Sequence, residues 1–146
     1  MKKKIIISAA AILILIQFFR INKENPVVNS SNDFLIINKA PDSIAQTIRS
    51  SCYDCHSNET QYPWYSNIAP VSWVIKHHIN EGREKMNFSD WGQYSSKKRQ
   101  RKVDGAIEMI EGNDMPLKSY TLIHRDAILN PAKKDSLIIW LKSLNP

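Results

Sequence analysis

The sequence predicts a small all-α domain of about four helices behind an apolar N-terminal segment. Apolar residues recur at helical spacing in four stretches between Pro41 and Leu144. Those stretches are bounded by the Pro, Gly, Ser and Asn residues that start and stop helices, and no run shows the two-residue alternation of a half-buried strand.

The chain opens with Lys2, Lys3 and Lys4, then an apolar run from Ile5 to Phe19 broken only by Ser8 and Gln17, closed by Arg20. This is the charge layout of an export signal or an anchor. Fifteen residues of helix reach about 22 Å against a hydrocarbon core of roughly 30 Å, so length favours a cleaved signal. The flank favours retention. Gln17-Phe18-Phe19-Arg20-Ile21-Asn22 lacks a small-residue cleavage site, and snorkelling lysine and arginine lengthen the effective span. Residues 1–21 are therefore expected to form an uncleaved transmembrane anchor, with signal cleavage and secretion as the alternative. The positive-inside rule keeps the N-terminus in the cytoplasm and sends the rest to the periplasm or an equivalent extracytoplasmic space.

Residues 22–33, rich in Asn and Ser, read as a polar tether, and residues 34–146 as one domain of about 110 residues, enough for a single core. The net charge is +6, but Lys2, Lys3, Lys4 and Arg20 supply four of those charges and leave +2 for residues 21–146. No nucleic-acid partner is expected on that balance. The dense run Lys97-Lys98-Arg99-Gln100-Arg101-Lys102 reads as a solvated helix face, with steering of an acidic partner or contact with anionic lipid as the functional alternative.

Within the domain, Pro41-Asp42-Ser43 opens a first helix whose stripe is Ile44, Ile48, Cys52 and Cys55. Thr60 to Ser72 carries Tyr62, Pro63, Trp64, Tyr65 and Pro70 and reads as an ordered loop. A second helix begins near Pro70, with Val71, Val74, Ile75, His78 and Ile79 inward and Gly82 as its terminator. Ser89 is the expected cap of a short turn around Trp91. The third helix spans about Ser95 to Glu111, with Val103, Ala106, Ile107 and Ile110 inward and Gly112 at its C′ position. Asn130-Pro131 starts a fourth, whose apolar face is Leu137, Ile138, Leu141 and Leu144.

Both cysteines of the chain fall in Cys52-Tyr53-Asp54-Cys55-His56. A C-x-x-C-H run is the pattern of covalent c-type haem attachment. Two thiols three positions apart on one helical turn can each form a thioether to a haem vinyl carbon, and the adjacent imidazole supplies an axial nitrogen to the iron. A redox dithiol would want a strand leading into Cys52, a zinc site would need four ligands, and a local disulfide gives His56 no role. One covalently bound haem c is the expected cofactor.

A six-coordinate iron needs a second ligand. Met115, in Gly112-Asn113-Asp114-Met115-Pro116, is the candidate, because a loop restricted by Pro116 can bring a thioether to the open haem face. His78, on the inward stripe of the second helix, is the alternative, and a core methionine in a hinge is the structural one for Met115. His77 points away from His78 and is expected at the surface. His124 lies in a loop, while Met86 and Met109 read as packing residues. Trp64, Trp73 and Trp91 combine apolar surface with an indole donor, which suits a haem pocket, and Arg83 is a candidate partner for a propionate.

The order and spacing of these features carry a resemblance. The motif with Ser57-Asn58-Glu59-Thr60, Tyr62-Pro63-Trp64-Tyr65-Ser66, Ile68-Ala69-Pro70-Val71-Ser72-Trp73, His78, Gly82-Arg83, Asn87-Phe88-Ser89, Trp91, Met115-Pro116, Tyr120 and His124 resembles the haem-binding domain family of small c-type cytochromes. The resemblance spans roughly Asp33 to Leu144. It implies a cytochrome c-like helical fold around one haem, with Cys52 and Cys55 as thioether residues, His56 as proximal ligand and Met115 as distal ligand. By analogy with cytochromes c, the carbonyl at Pro70 is the expected acceptor for the second nitrogen of the proximal imidazole. The expected function is electron transfer between unidentified redox partners by a membrane-tethered carrier that is not an enzyme. The alternative is a ligand-binding, sensory or peroxidase-like domain with an open or labile distal position.

Overall fold

The computed structural model describes residues 1–144, and among these the regular structure is entirely helical, as expected. Helix α1 (Lys2–Leu15) buries none of its residues and passes into a 3-10 turn at Ile16–Phe18. No helix among the described residues is long and apolar enough to cross a membrane, which corrects the expectation of a transmembrane helix over residues 1–21. The cause is local. Gln17, within the 3-10 turn, bonds the backbone of Ala69 through both ends of its amide, each at 2.9 Å, and the chain leaves helical geometry at Phe19.

The stretch that follows lies against the domain. Asn25 donates to the carbonyl of Thr60, and Asn58 donates to that of Val27. Asp33 then caps α2 (Phe34–Ile37), a single turn that periodicity did not predict, accepting from the amides of Leu35 and Ile36. Phe34 is fully buried, its ring 4.7 Å from Trp91, 5.0 Å from Phe88 and 5.6 Å from Trp140. Burying a ring of this size contributes about 2–3 kcal/mol, which makes this small helix the centre of the core.

Helix α3 (Asp42–Ser51) buries Ile44 and Ile48 as its stripe requires. It stops at Ser51, before either cysteine of the expected stripe, because Cys52 leaves helical geometry (φ −130°), and α4 (Tyr53–His56) restarts as a separate turn. The loop after it holds a 3-10 turn at Trp64–Asn67 and leads into α5 (Val71–Lys85). Gly82 does not terminate that helix, which runs three residues further, and of the stripe expected inward Ile79 is buried while Val71 and Val74 are exposed. Next comes a 3-10 segment, Phe88–Gln93, capped by Asn87 rather than by Ser89, whose hydroxyl instead accepts from the amide of Asn58.

Helix α6 (Ser96–Glu111) buries Val103, Ile107 and Ile110. At its end the left-handed residue is Asn113 (φ 60°), while Gly112 stays right-handed. Asparagine tolerates that conformation well enough for the expected glycine to be unnecessary. After α7 (Lys118–Thr121), Asn130 caps α8 (Pro131–Ser143) by accepting from the amide of Lys133, with Pro131 in the first turn. Leu137 and Leu141 face inward, and α8 packs against α6 and α3. In the basic run, Lys97, Lys98 and Arg101 are exposed, whereas Arg99 donates to the carbonyls of Trp91 and Gly92.

Candidate functional site

The C-x-x-C-H segment forms one tight turn. The amides of Cys55 and His56 both donate to the carbonyl of Cys52, at 3.2 and 2.9 Å, so both cysteines and the histidine project from a single loop of helix. Tyr53, between them, faces the core and donates a 2.7 Å hydrogen bond to Asp33, the cap of α2. Burial and this carboxylate push the phenol upward in pKa, so it remains a donor at any physiological pH.

The next residues fold back onto the turn. Thr60 donates to the carbonyl of Asp54, the amide of Gln61 donates to its carboxylate, and Ser57 donates to the carbonyl of Tyr53. Arg83 holds this loop from α5, donating to the carbonyl of Ser57, to Thr60 and to Asn25. Its guanidinium is thus engaged in fixing the chain around the motif.

Helix α5 presses on the turn from the other side. A Cβ on Gly82 would lie 2.5 Å from the carbonyl oxygen of Cys55, so only glycine permits the approach. One turn further, Nδ1 of His56 donates to the carbonyl of Met86 at 3.0 Å. A carbonyl can only accept, so the proton sits on Nδ1 and the lone pair of Nε2 is left for a metal. Burial lowers the pKa of His56, with the positive charge of Lys102 acting in the same direction and the backbone bonds to Met86 and Gly82 opposing it. The imidazole is therefore neutral at pH 7, the form that ligates iron. The acceptor expected at Pro70 is replaced by Met86. Pro70 instead caps α5, and α5 offers its C-terminal end to the motif.

The two thiols are free. Burial, then the neighbouring Cys55, pushes Cys52 up to about 12, and burial with Asp54 pushes Cys55 up to about 11, with Arg83 opposing. Both are thiols rather than thiolates at neutral pH. Among the described residues no three His, Cys, Asp or Glu side chains gather as ligands for a bare metal ion, so the zinc reading lacks its donor set. The arrangement fits a haem: two protonated thiols on one turn, and beside them a neutral imidazole locked in one tautomer by the bond to Met86.

Met115 is half-buried in the loop after α6, its amide donating to the carbonyl of Met109. The segment after it is tied to the motif, because Tyr120 of α7 donates to the carboxylate of Asp54 at 2.7 Å. His124 stacks on Tyr120 with ring centroids 4.2 Å apart and meets the hydroxyl of Tyr65 at 2.6 Å. Burial, then the charge of Asp54, raises the pKa of both tyrosines, and the Tyr120–Asp54 bond puts this aromatic group beside the motif. His78 is half-buried one turn before Gly82 and shares its face of α5, while His77 is exposed and 3.4 Å from Glu81.

Trp64 is 75 % exposed, Trp73 is 40 % exposed with its indole donating to the carbonyl of Phe19, and Trp91 is buried against Phe34. Met109 is exposed rather than packed. Sequence reasoning did not assign Met86, Gly82, Asp54, Tyr65 and Tyr120 their roles. The signal for Gly82 was present as an inward-facing glycine in an otherwise unbroken helix, which marks close approach.

A family model described as a haem-binding domain matches residues 11–143. No curated protein and no solved structure matches the chain.

Proposed function

The chain belongs to the haem-binding domain family, and on that premise we propose that it is a membrane-tethered monohaem c-type cytochrome passing single electrons between redox partners outside the cytoplasm. The hydrogen bond from His56 Nδ1 to the carbonyl of Met86 carries the reading. It fixes the tautomer and direction of the imidazole before any ligand arrives, as a proximal haem ligand directly after a C-x-x-C pair requires.

Haem, when bound, supplies a one-electron ferric/ferrous couple. Cys52 and Cys55 would hold it through thioether bonds and His56 would present Nε2 to the iron. The anchoring of Tyr53 on Asp33 and the contact of Gly82 with Cys55 keep the turn from shifting, which limits reorganisation on electron transfer. Met115, in the loop before the segment that Tyr120 ties to Asp54, would offer a second, thioether ligand, and His78 is the competing donor. Lys102 acts on His56 electrostatically, so the basic start of α6 adds positive potential at this edge and favours an acidic partner. Export by the N-terminal segment would deliver the thiols to the compartment where haem is attached, and α1, apolar on every side beyond Lys4, would hold the domain at the membrane.

An optical redox titration tests the proposal. A carrier gives one reversible single-electron wave, and the reduced protein does not bind carbon monoxide. Rapid carbon monoxide binding would favour a ligand-binding role, for which the Tyr65–His124 pair beside the motif provides polar groups.

A further inference from the structure

We propose that the domain seats one face in the interfacial layer of the membrane, the face formed by Phe18, Phe19, Trp64, Trp73 and Val74 around the base of α1. The inference rests on the membrane-tethered reading and adds a fixed orientation to it. Phe18 is 80 % exposed, Phe19 69 %, Trp64 75 %, Val74 53 % and Trp73 40 %, so five large apolar side chains from three segments stand in solvent. They are grouped by contact. The Trp73 indole donates to the carbonyl of Phe19 at 2.8 Å, and the 3-10 turn that carries Trp64 packs on the start of α5.

The group continues α1, which has no buried residue and no charge between Lys4 and Arg20. A helix apolar on all sides is covered by hydrocarbon or by protein. Here the flanking chemistry selects lipid. Tryptophan at the end of an apolar helix suits the water–hydrocarbon boundary, where the ring is shielded and the indole N–H finds a carbonyl. Arg20 and Lys23 line a small cleft beside the patch with Gln17, Ser66, Asn67 and Ser72, and they complement anionic headgroups. A second copy of the chain on the same face would bring these cations toward their own equivalents.

The domain cannot swing freely about the end of α1. Gln17 bonds both the amide and the carbonyl of Ala69, Trp73 bonds Phe19, and Lys23 bonds Asn67. Helix α5 begins in this face and carries Gly82 eight residues beyond Val74, about 12 Å further along its axis. Since Gly82 touches Cys55, the seat fixes the height of the C-x-x-C-H turn above the membrane.

The test uses the full-length holoprotein in vesicles of phosphatidylethanolamine and phosphatidylglycerol. Cys52 and Cys55 are the only cysteines and are consumed by haem, so Val74→Cys, Trp64→Cys or Glu108→Cys each provides one site for a nitroxide label. Labels at positions 74 and 64 are expected to lose relaxation by a water-soluble nickel chelate and gain it from oxygen, while the label at exposed position 108 on α6 keeps the aqueous response. Adding Gln17→Ala to Val74→Cys restores nickel access. Equal nickel access at all three positions, in protein that floats with the vesicles, overturns the seat and leaves the tether standing. Protein that does not float with the vesicles overturns the tether and the seat together. Dipolar broadening at position 74 that disappears on dilution with unlabelled protein assigns the face to a second copy and overturns the lipid seat.

Discussion

Tyr120 donates a 2.7 Å hydrogen bond to the carboxylate of Asp54, the residue that separates Tyr53 from Cys55. Through it the segment after Met115 is fastened to the turn that holds the two thiols. Tyr120→Phe removes the donor and leaves a partly buried carboxylate short of one partner. The expected cost is about 1–3 kcal/mol in thermal or urea unfolding, accompanied by weakening of the far-red absorption band of iron–thioether bonding. An unchanged band would show that Tyr120 does not position Met115.

Met115→Ala is expected to abolish that band in the ferric protein and to lower the reduction potential, because thioether ligation favours the ferrous state relative to nitrogen ligands. His78→Ala should leave both intact. The opposite pattern in potentiometry, with His78→Ala moving the potential and Met115→Ala silent, assigns the distal position to His78.

Two glycines in helices make a matched pair. Gly82→Ala would put a methyl group 2.5 Å from the carbonyl oxygen of Cys55, and α5 would have to retreat. That displacement costs about 1–3 kcal/mol, more than the roughly 1 kcal/mol gained in helix propensity, and it stretches the His56–Met86 bond. Gly105→Ala in α6 meets nothing within 4 Å. It should stabilise the protein by up to about 1 kcal/mol. Urea unfolding of both variants decides whether close approach, not helix termination, explains Gly82.

Before haem is attached, the thiols should make stability fall as pH rises. Unfolded cysteine titrates near about 8.5, whereas burial holds Cys55 at about 11 and Cys52 at about 12, so between these values the folded chain binds more protons than the unfolded one. The stabilisation is complete below about pH 8.5 and is lost through the folded values. Urea unfolding of apoprotein from neutral pH to pH 10 checks the sign. Alkylation supplies a second readout, slow at pH 8 and rising roughly tenfold per pH unit in the folded apoprotein.

Helix existence was legible wherever an apolar stripe began beside a boundary Pro, Ser or Asn. Ile44 and Ile48, Val103 and Ile107, and Asn130-Pro131 with Leu137 all lie where periodicity placed them, because burying an apolar face and capping its ends are local demands. One-turn elements were not legible. The turn at Phe34–Ile37 is too short to show a period, and it exists because Asp33 caps it and Phe34 fills the core. The C-x-x-C-H turn was visible since its residues are contiguous. Its supports were not: Met86 contributes a backbone carbonyl, which carries no side-chain signature, and the Asp54–Tyr120 bond joins positions 66 residues apart. The N-terminal helix was expected to run past Phe18 because Phe19 and Ile21 are apolar, and apolarity does not reveal the bonds that tie Gln17 to Ala69.

Covalent attachment is the central claim, and the mass of the denatured protein after maturation in a host with a haem-ligation system tests it most directly. The account predicts a chain heavier by one haem that resists acid–acetone extraction, with a pyridine haemochrome spectrum of two saturated vinyl positions, and loss of both properties in Cys52→Ala/Cys55→Ala. An unmodified mass, or a haem that extracts into acid–acetone, would contradict it.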